Sequence, residues 1–458
     1  MKAVLCASTL LALVCNVHAT TFFVNKTQDT FDGVCDADCS LRDAIQAANV
    51  NAGEDVIRLQ GTTYHISIPT TLQPVGEDDD IDPEVDEDDN QVGDLDIADD
   101  LKIIGRSGTR LDANYVYRVL EVLPGARVKL QDLEIRRGWV PEAGGGIANG
   151  GTLTLLRVRV AENRSASRYY FGKGGGIFNE GVLELRRSEI ADNFVNGGEG
   201  SDARGAGLFN TGNLLMSDSM VRDNIAHDDG DSGAGAGLYN RGQATIRRSL
   251  FTGNVGEYHG HGGAILNVEG ARLTLENTTI SDNHSGMQGG GALANGERMD
   301  WEWEKPGEIH LTNVTIAENE NGGLFNAGRA TWINTLIASN YQGPLPNTRN
   351  YYAGTNCENH GQFQTTQVSV LLGNDGNCVG DILVDNGTVL NFVLYPLANN
   401  GGPTPTHALR PGPYAIDTSV ARCPMHDQRG ALRPVDGNGD GSAICDIGAF
   451  EHQPDDSL

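Results

Sequence analysis

Aromatic residues, methionine and long hydrophobic runs are scarce in this 458-residue chain. Aromatics make up 6% of the sequence, and it contains 6 methionines. Beyond the first residues, no stretch approaches the ~18 consecutive apolar residues of a membrane-spanning helix, so we expect no transmembrane segment. Basic residues number 33 against 61 acidic ones, for a net charge of −28. A surface this negative repels phosphate backbones and anionic lipids, which excludes nucleic-acid and peripheral membrane binding as leading functions.

The N-terminus predicts export. Lys2 precedes the apolar run Ala3 to Val14, and Val17-His18-Ala19 offers small residues for cleavage after Ala19. The run is too short to cross a bilayer and is typical of a secretory signal peptide over residues 1–19, with a buried helix as the alternative. We therefore expect a protein that is secreted or at the cell surface, or in the periplasm, with no recognisable anchor.

Six cysteines remain after the signal peptide, in three pairs of near neighbours. An even number in an exported chain favours disulfides. Metal ligation is the alternative, although the first pair lacks a second Cys or His pair at zinc-finger spacing. Loop closure is least demanding between neighbours, which predicts the disulfides Cys35–Cys39, Cys357–Cys378 and Cys423–Cys445.

Glycine is abundant, with 60 residues, and much of it belongs to an internal repeat. Seven segments carry a glycine cluster, an aliphatic residue and, two positions later, an asparagine. The aliphatic positions are 147, 177, 208, 238, 265, 293 and 324. Alternating apolar residues follow, as in short strands. Each unit then has a second asparagine, at Asn163, Asn193, Asn224, Asn254, Asn283, Asn319 or Asn340.

This repeat predicts an all-β, right-handed, single-stranded parallel β-helix. A unit of about three short strands cannot bury its apolar face alone and gains a core only by stacking on its neighbours. Asparagine suits the corners because its amide both donates to and accepts from the next rung and it tolerates a left-handed backbone. No amphipathic helix is long enough to connect strands of an α/β fold, and the blades of a β-propeller need longer repeats.

The variable part of each unit is the connection from the second asparagine to the next glycine cluster. Stacked rungs would place these loops on one flank at steps of about 4.8 Å. The candidate binding residues there are Tyr169, Tyr170, Phe171, Trp301 and Trp303, and the candidate catalytic residues are Asp228, Asp229, Asp231, Tyr258, His259 and His261. The alternative is a set of solvated loops with incidental composition.

A second column comes from the residue before each second asparagine. Like charges at rung spacing repel, so its carboxylates either point to water, which we favour, or share cations. Its members are Glu162, Asp192, Asp223, Gly253, Asp282, Glu318 and Ser339.

The two ends predict caps. Ser40-Leu-Arg-Asp43 is a capping box before an apolar helical stripe, so a short capping helix is expected within an N-terminal cap at 20–60. The β-helix is expected over 61–350, with its clear repeats at 144–340. Its acidic loop at 77–100 is either exposed or a multi-carboxylate cation site. Residues 351–458 are predicted to form a disulfide-stapled C-terminal cap.

One short motif suggests a metal. Asp436, Asn438 and Asp440, followed by Gly441, match the first half of a calcium loop. The bidentate glutamate that closes such a loop is missing, and Asp446 is the candidate replacement. Calcium is the one cofactor that the sequence suggests.

Three groups of residues resemble known families. Cys35-x3-Cys39-Ser-Leu-Arg-Asp-Ala-Ile-Gln-Ala-Ala-Asn49 is similar to the CSLREA domain of exported bacterial β-helix proteins, with Asp43 in place of Glu. Leu397-Ala-Asn-Asn-Gly-Gly-Pro-Thr-Pro-Thr-His407 and Cys445-Asp-Ile-Gly-Ala-Phe-Glu451 resemble the choice-of-anchor Q domain. Phe251-Thr-Gly-Asn254 with Gly262-Gly-Ala-Ile265 is similar to the repeats of polymorphic outer-membrane proteins. The last resemblance implies an adhesin, and none of the three supplies a catalytic residue.

Together these observations predict a secreted or cell-surface β-helix protein, adhesin-like or glycan-binding, that acts through loops on one flank. Its expected partner is a polysaccharide or a cell-surface glycan or protein, and we expect a monomer. The alternative is a polysaccharide lyase, epimerase or hydrolase, which needs a base beside a cation site or two placed carboxylates. A purely structural coat or spacer is a third hypothesis.

Overall fold

The structure is a computed structural model of the chain. The residues it describes are 19–69, 89–166, 171–198, 202–227, 233–257, 260–268, 270–286, 291–296, 298–299, 302–303, 306–342, 355–360 and 365–456. The signal peptide lies almost wholly outside these ranges.

The described chain forms a stack of rungs whose strands pair in parallel in four sheets. The long sheet has 20 described strands: Thr21–Phe23, Asp55–Arg58, Thr63–His65, Leu101–Ile104, Arg110–Asp112, Arg127–Arg136, Thr152–Ala161, Val182–Arg186, Glu189–Ala191, Asn213–Ser217, Met220–Arg222, Gln243–Arg247, Leu250–Thr252, Arg272–Ser281, Glu308–Ala317, Arg329–Ile333, Leu336–Ala338, Thr365–Val368, Leu371–Gly373 and Ile382–Val384.

The other sheets run beside it. The second sheet contains Leu95–Ile97, Leu120–Val122, Ile147–Asn149, Ile177–Asn179, Leu208–Asn210, Leu238–Asn240, Ile265–Asn267, Leu293–Asn295, Leu324–Asn326 and Cys357–Asn359. The third sheet contains Trp139–Val140, Arg164–Ala166, Phe194–Asn196, Ile225–His227 and Val255–Gly256. The fourth contains Gly172–Lys173, Ala203–Arg204 and Gly233–Ala234, and Arg298–Met299 pairs antiparallel with Glu302–Trp303.

The register between rungs confirms the predicted parallel β-helix. Ile147 pairs with Ile177, Ile177 with Leu208, and so on through Leu324, so all seven aliphatic repeat positions stack. These side chains are at most 1% exposed and belong to one continuous apolar core. Each rung thus gains a core from its neighbours, as expected for a solenoid.

Both asparagine positions of the repeat form ladders of side-chain hydrogen bonds. In the first ladder, each amide donates to the next asparagine Oδ1 at 2.6–2.9 Å, from Asn149 to Asn359. In the second, the distances are 2.8–3.0 Å from Asn163 to Asn356. The predicted exchange between rungs is confirmed. The left-handed backbone, however, falls on the residue before each second asparagine, with φ of 53–65° from Glu162 to Ser339.

The N-terminal helix, Leu41–Val50, caps the first rungs as predicted. The Ser40 side chain accepts from the Asp43 amide, and the Asp43 carboxylate accepts from the Ser40 amide. Arg42 is fully buried and donates to both Asp29 oxygens at 2.9 and 3.0 Å. It also donates to the carbonyls of Val92, Gly93 and Asp94. Arg42 therefore ties the helix to the body, and Asn49 adds bonds to the Asp96 carbonyl and the Ala98 amide.

The C-terminal region packs against the long sheet. A 3-10 turn at Asn386–Thr388 and a short helix at Val389–Phe392 follow the last strand. All three predicted disulfides are present, and two of them lie in this half of the chain. Among the residues that the structure describes, no helix has the length and hydrophobicity to cross a membrane.

Candidate functional site

One flank of the solenoid presents two parallel columns of side chains. The outer column continues the solvent-facing positions of the third sheet, and its successive members pair from rung to rung. It consists of Trp139, Arg164, Phe194, Ile225, Val255, His284, Glu320 and Tyr341. The corner column consists of the left-handed residues Glu162, Asp192, Asp223, Gly253, Asp282, Glu318 and Ser339. We call the two columns together the third-sheet flank.

In the first rungs of the flank, arginines hold the corner carboxylates in place. Arg136 donates to Glu162 at 2.5 Å and Arg159 donates to Asp192 at 2.6 Å. Arg222 donates to Asp223. The three acidic side chains remain 36–47% exposed. The paired arginines offset the repulsion between these carboxylates and hold them in place. Because the carboxylates stay exposed, they offer fixed hydrogen-bond acceptors to solvent or a ligand.

The outer column lies beside these acceptors and is partly aromatic. The Arg164 guanidinium lies 4.8 Å from the Tyr115 ring centroid and 5.9 Å from that of Phe194, within cation–π range of both. The Phe194 ring stacks in turn on His227, with centroids 6.0 Å apart. Tyr115, Arg164, Phe194 and Ile225 line an open cavity of about 340 Å³ together with the corner carboxylates.

Gly253 divides the corner column into two halves. A Cβ atom at this residue would lie 2.2 Å from the Asp223 Oδ1, so a side chain here would displace the Asp223 carboxylate. Beyond the gap, the described residues place no arginine in ion-pair contact with Asp282 or Glu318. Burial raises the pKa of both carboxyl groups, and neighbouring carboxylates raise it further: Asp223 and Glu320 act on Asp282, and Asp282 acts on Glu318.

The outer column beside this second half is ionisable. The His284 Nδ1 lies 3.0 Å from a Glu320 carboxylate oxygen. Tyr341 is 48% exposed, and burial of its remaining surface together with the nearby carboxylates raises its pKa. The flank therefore changes along the stack from aromatic side chains with arginine-paired carboxylates to groups suited to proton transfer.

The variable loops leave from this flank in register. The residues before three of them pair in the third sheet, and the residues after them pair in the fourth. Most of the residues selected from the sequence lie outside the described residues: Tyr169, Tyr170, Asp228, Asp229, Asp231, Tyr258, His259 and Trp301. Of the others, Phe171 is 50% exposed at a loop end, and the Trp303 backbone pairs with Arg298.

His261 lies away from the solvent-facing columns. It is 4% exposed, and its ring lies 5.8 Å from that of Phe325. Phe325 belongs to a buried cluster on the outer face of the second sheet that includes Phe209 and Tyr239, whose rings stack at 4.9 Å. The described position of His261 is thus in the packing between loops and sheet.

The hydrogen bonds of the four residues in the calcium hypothesis do not direct their side chains to one common point. Asp436 accepts from the backbone amides of Gly439, Asp440 and Gly441 within its own loop. The Asp446 carboxylate accepts instead from the amides of Asp417 and His452, and burial raises its pKa to about 8. Calcium binding stays a prediction; if it occurs, chelation should lower the melting temperature.

A carboxylate cluster joins the described part of the acidic segment 77–100 to Glu121 on the next rung. Asp94, Asp96 and Glu121 bring one oxygen each within 4.8 Å of one another. Arg118 forms ion pairs with Asp94, at 3.1 Å, and with Glu121. Arginine thus supplies positive charge where the sequence suggested a cation.

The sequence pattern identified the corner column, which we interpreted as solvated, but it did not identify the outer column. The signal was available: from Arg164 onward, each outer residue stands two positions after a corner residue, as Phe194 follows Asp192. These residues open the variable connections, and the loops that follow them differ in length and composition, which obscures the regular column.

Comparison with known proteins adds little to this site. No family model matches the chain, and no curated protein matches it. Among solved structures, the chain is similar to the crystal structure of pectate lyase Pel9A, with a TM-score of 0.42 and 12% sequence identity. The alignment covers 96% of this chain and 98% of that one. The assignment of a parallel β-helix rests on the strand ladders described above.

Proposed function

We propose that the protein is an exported binding protein that holds an extended glycan along the third-sheet flank. The observation that supports this most is the in-register outer column, with Arg164 between two aromatic rings, beside carboxylates that arginines fix in place. Aromatic faces pack against the apolar C–H faces of sugar rings, and fixed carboxylates accept hydrogen bonds from hydroxyl groups.

The charge of the flank favours a neutral or cationic glycan. Three exposed corner carboxylates and the acidic chain as a whole would repel a polyuronate approaching this side. The rung spacing of about 4.8 Å offers equivalent contacts repeatedly along one direction. A long chain could therefore make the same contact on several rungs, which raises affinity without a deep pocket.

Glycan-array screening of the mature protein, followed by titration of the best neutral ligand, tests this proposal. Phe194→Ala should weaken binding about fivefold, since an aromatic contact is worth roughly 1 kcal/mol. Phe194→Tyr keeps the ring and should bind nearly as well as the parent. Phe392→Ala removes a side chain that is 59% exposed elsewhere and serves as the matched control. Absence of any glycan ligand, or equal binding by Phe194→Ala, would contradict the proposal.

A second candidate function is cleavage of the bound polymer at the other half of the flank. It is supported by Asp282 and Glu318, whose carboxyl pKa values burial raises, on neighbouring rungs beside the His284–Glu320 pair. A carboxyl group with a raised pKa is a better candidate for a general acid than an ordinary one, and a second group can act as a base. We infer that any catalytic centre lies here.

Incubation with a panel of polysaccharides, followed by measurement of new reducing or unsaturated ends, tests this second function. Asp282→Asn and Glu318→Gln should each abolish cleavage, whereas Asp38→Asn, at an exposed carboxylate of the N-terminal cap, should retain it. If no polysaccharide is cleaved, the protein is a binder only. If cleavage persists in both variants, the centre lies elsewhere.

A further inference from the structure

A second column of left-handed residues runs along the bend of the long sheet, away from the third-sheet flank. Its φ angles are 46–56°, and each member stands where one strand segment of a rung turns into the next. We call it the bend column. Its members are Asp132, Arg157, Arg187, Asp218, Arg248, Asn277, Asn313, Asn334 and Ser369.

The chemistry of the bend column changes where the C-terminal region covers it. Asn277, Asn313 and Asn334 are at most 1% exposed. Their amides donate to carbonyls of the C-terminal region, as from Asn277 to His426 at 2.9 Å and from Asn313 to Gly448 at 3.1 Å. Charged side chains would be costly under this cover, whereas asparagine finds partners there. The preceding five members are all charged and at least partly exposed.

Four of the five charged members form two ion pairs, and the fifth is an arginine outside these pairs. Arg157 donates to both oxygens of Asp132, and Arg248 donates to both oxygens of Asp218, at 2.7 and 3.0 Å. Arg187 lies on the rung between these two pairs. Within the described part of the chain, no carboxylate forms an ion pair with Arg187, and its side chain is exposed.

Arg187 lines an open groove of about 490 Å³ on the long sheet. The groove also contains Arg186, Arg247 and Arg248 against two acidic residues, Glu184 and Asp218, so its lining carries a net charge of +2. This is the opposite sign to the chain, at −28. Leu156 and Leu215 form an apolar part of the wall, and Leu215 is 48% exposed.

We infer that this groove binds an extended anionic polysaccharide, with the Arg187 guanidinium contacting its sulfate or carboxylate oxygens. A guanidinium fork matches the two oxygens of such groups, and the exposed Leu215 side chain suits the apolar face of a sugar ring. The lining comes from four successive rungs, which span roughly 14 Å at about 4.8 Å per step. Among its described lining residues, the groove has no aromatic ring on which a nucleic-acid base could stack.

The bend column itself supplies substitutions that the backbone accepts. Asparagine occupies equivalent left-handed positions at 277, 313 and 334, so Arg187→Asn and Asp218→Asn should fold. The matched control is Arg157→Asn on the neighbouring rung. It removes the same charge as Arg187→Asn, but from an arginine that Asp132 already neutralises. Affinity is measured by calorimetry with three probes of matched length: dextran sulfate, polygalacturonate and uncharged dextran.

We expect Arg187→Asn to weaken binding of at least one anionic probe about tenfold, as for loss of one charge-assisted contact. Asp218→Asn releases Arg248 and should strengthen binding, a gain that a merely structural role of the column would not produce. Arg157→Asn should change affinity less than twofold, a small rim effect. The two anionic probes distinguish sulfate from carboxylate. Absence of binding to both, unchanged binding by Arg187→Asn, or equal binding of double-stranded DNA would overturn the inference.

Discussion

The asparagine ladder at the corner column allows a sharp test of how the rungs are held together. Asn224 is fully buried, and its amide donates to Asn254 Oδ1 at 2.9 Å and to the Ile190 carbonyl at 3.1 Å. Its Oδ1 accepts from the backbone amide and the side-chain amide of Asn193, at 3.1 and 2.9 Å. One side chain thus joins its own rung to both neighbours.

Asn224→Ala should lower the free energy of unfolding by about 2–4 kcal/mol. The substitution leaves the buried Asn193 backbone N–H without its acceptor, and an unsatisfied buried group costs roughly 1–3 kcal/mol. Loss of the other bonds adds about 1 kcal/mol or more. Asn224→Asp should be at least as harmful, because its carboxylate would bring a buried charge and cannot donate to Asn254.

Urea denaturation followed by circular dichroism measures the effect, and the neighbouring residue provides the control. Asp223 is exposed and left-handed, and asparagine tolerates that backbone, so Asp223→Asn should change stability by less than about 0.5 kcal/mol. Equal midpoints for Asn224→Ala and the parent would refute the account of the ladder. A loss in Asp223→Asn as large as in Asn224→Ala would also refute it, because the cost would then belong to the corner and not to the amide.

Three further predictions concern the ends of the solenoid. Burial lowers the pKa of His407 from 6.5 to about 4, so the unfolded chain takes up a proton that the folded chain does not. Stability should therefore fall by up to about 3 kcal/mol as pH drops from 6.5 to 4, and this part of the pH dependence should be absent in His407→Gln. Replacing both Cys423 and Cys445 with Ser opens a loop of sequence separation 22 and should cost about 3 kcal/mol in urea denaturation. Arg42→Lys cannot reproduce the paired bonds to Asp29, so hydrogen exchange over 20–60 should accelerate at least tenfold, while exchange in the central rungs stays unchanged.

The sequence was sufficient for those features that repeat. Stacked aliphatic positions, both asparagine ladders and the capping box depend on spacing along the chain, and spacing is visible in the sequence. The disulfides also followed, since their partners are close in sequence. Arg42 shows the limit: its carbonyl partners lie about 50 residues away in a non-repeating segment, and nothing in the local pattern relates the two.

The candidate site was predicted less well than the fold, because the residues selected for it come mainly from the variable loops. The corner column was found from sequence, but its division at Gly253 into an arginine-paired half and a half with raised carboxyl pKa values was not. That division depends on which arginines reach across a rung, such as Arg159 to Asp192. Pairing between rungs is a property of side-chain reach, which spacing alone does not specify.

The bend column carried a sequence signal that could have been read. Seven of its nine members stand five residues before a corner residue, as Arg187 precedes Asp192 and Asn313 precedes Glu318. Along this column the residues change from Asp and Arg to Asn at the rung where the C-terminal region begins to cover the sheet. In a solenoid, a repeat position has the same backbone conformation on every rung, but its solvent exposure differs from rung to rung. A change from charge to amide along one column therefore marks the edge of whatever covers it, and the charges that remain outside mark a surface left open to a ligand.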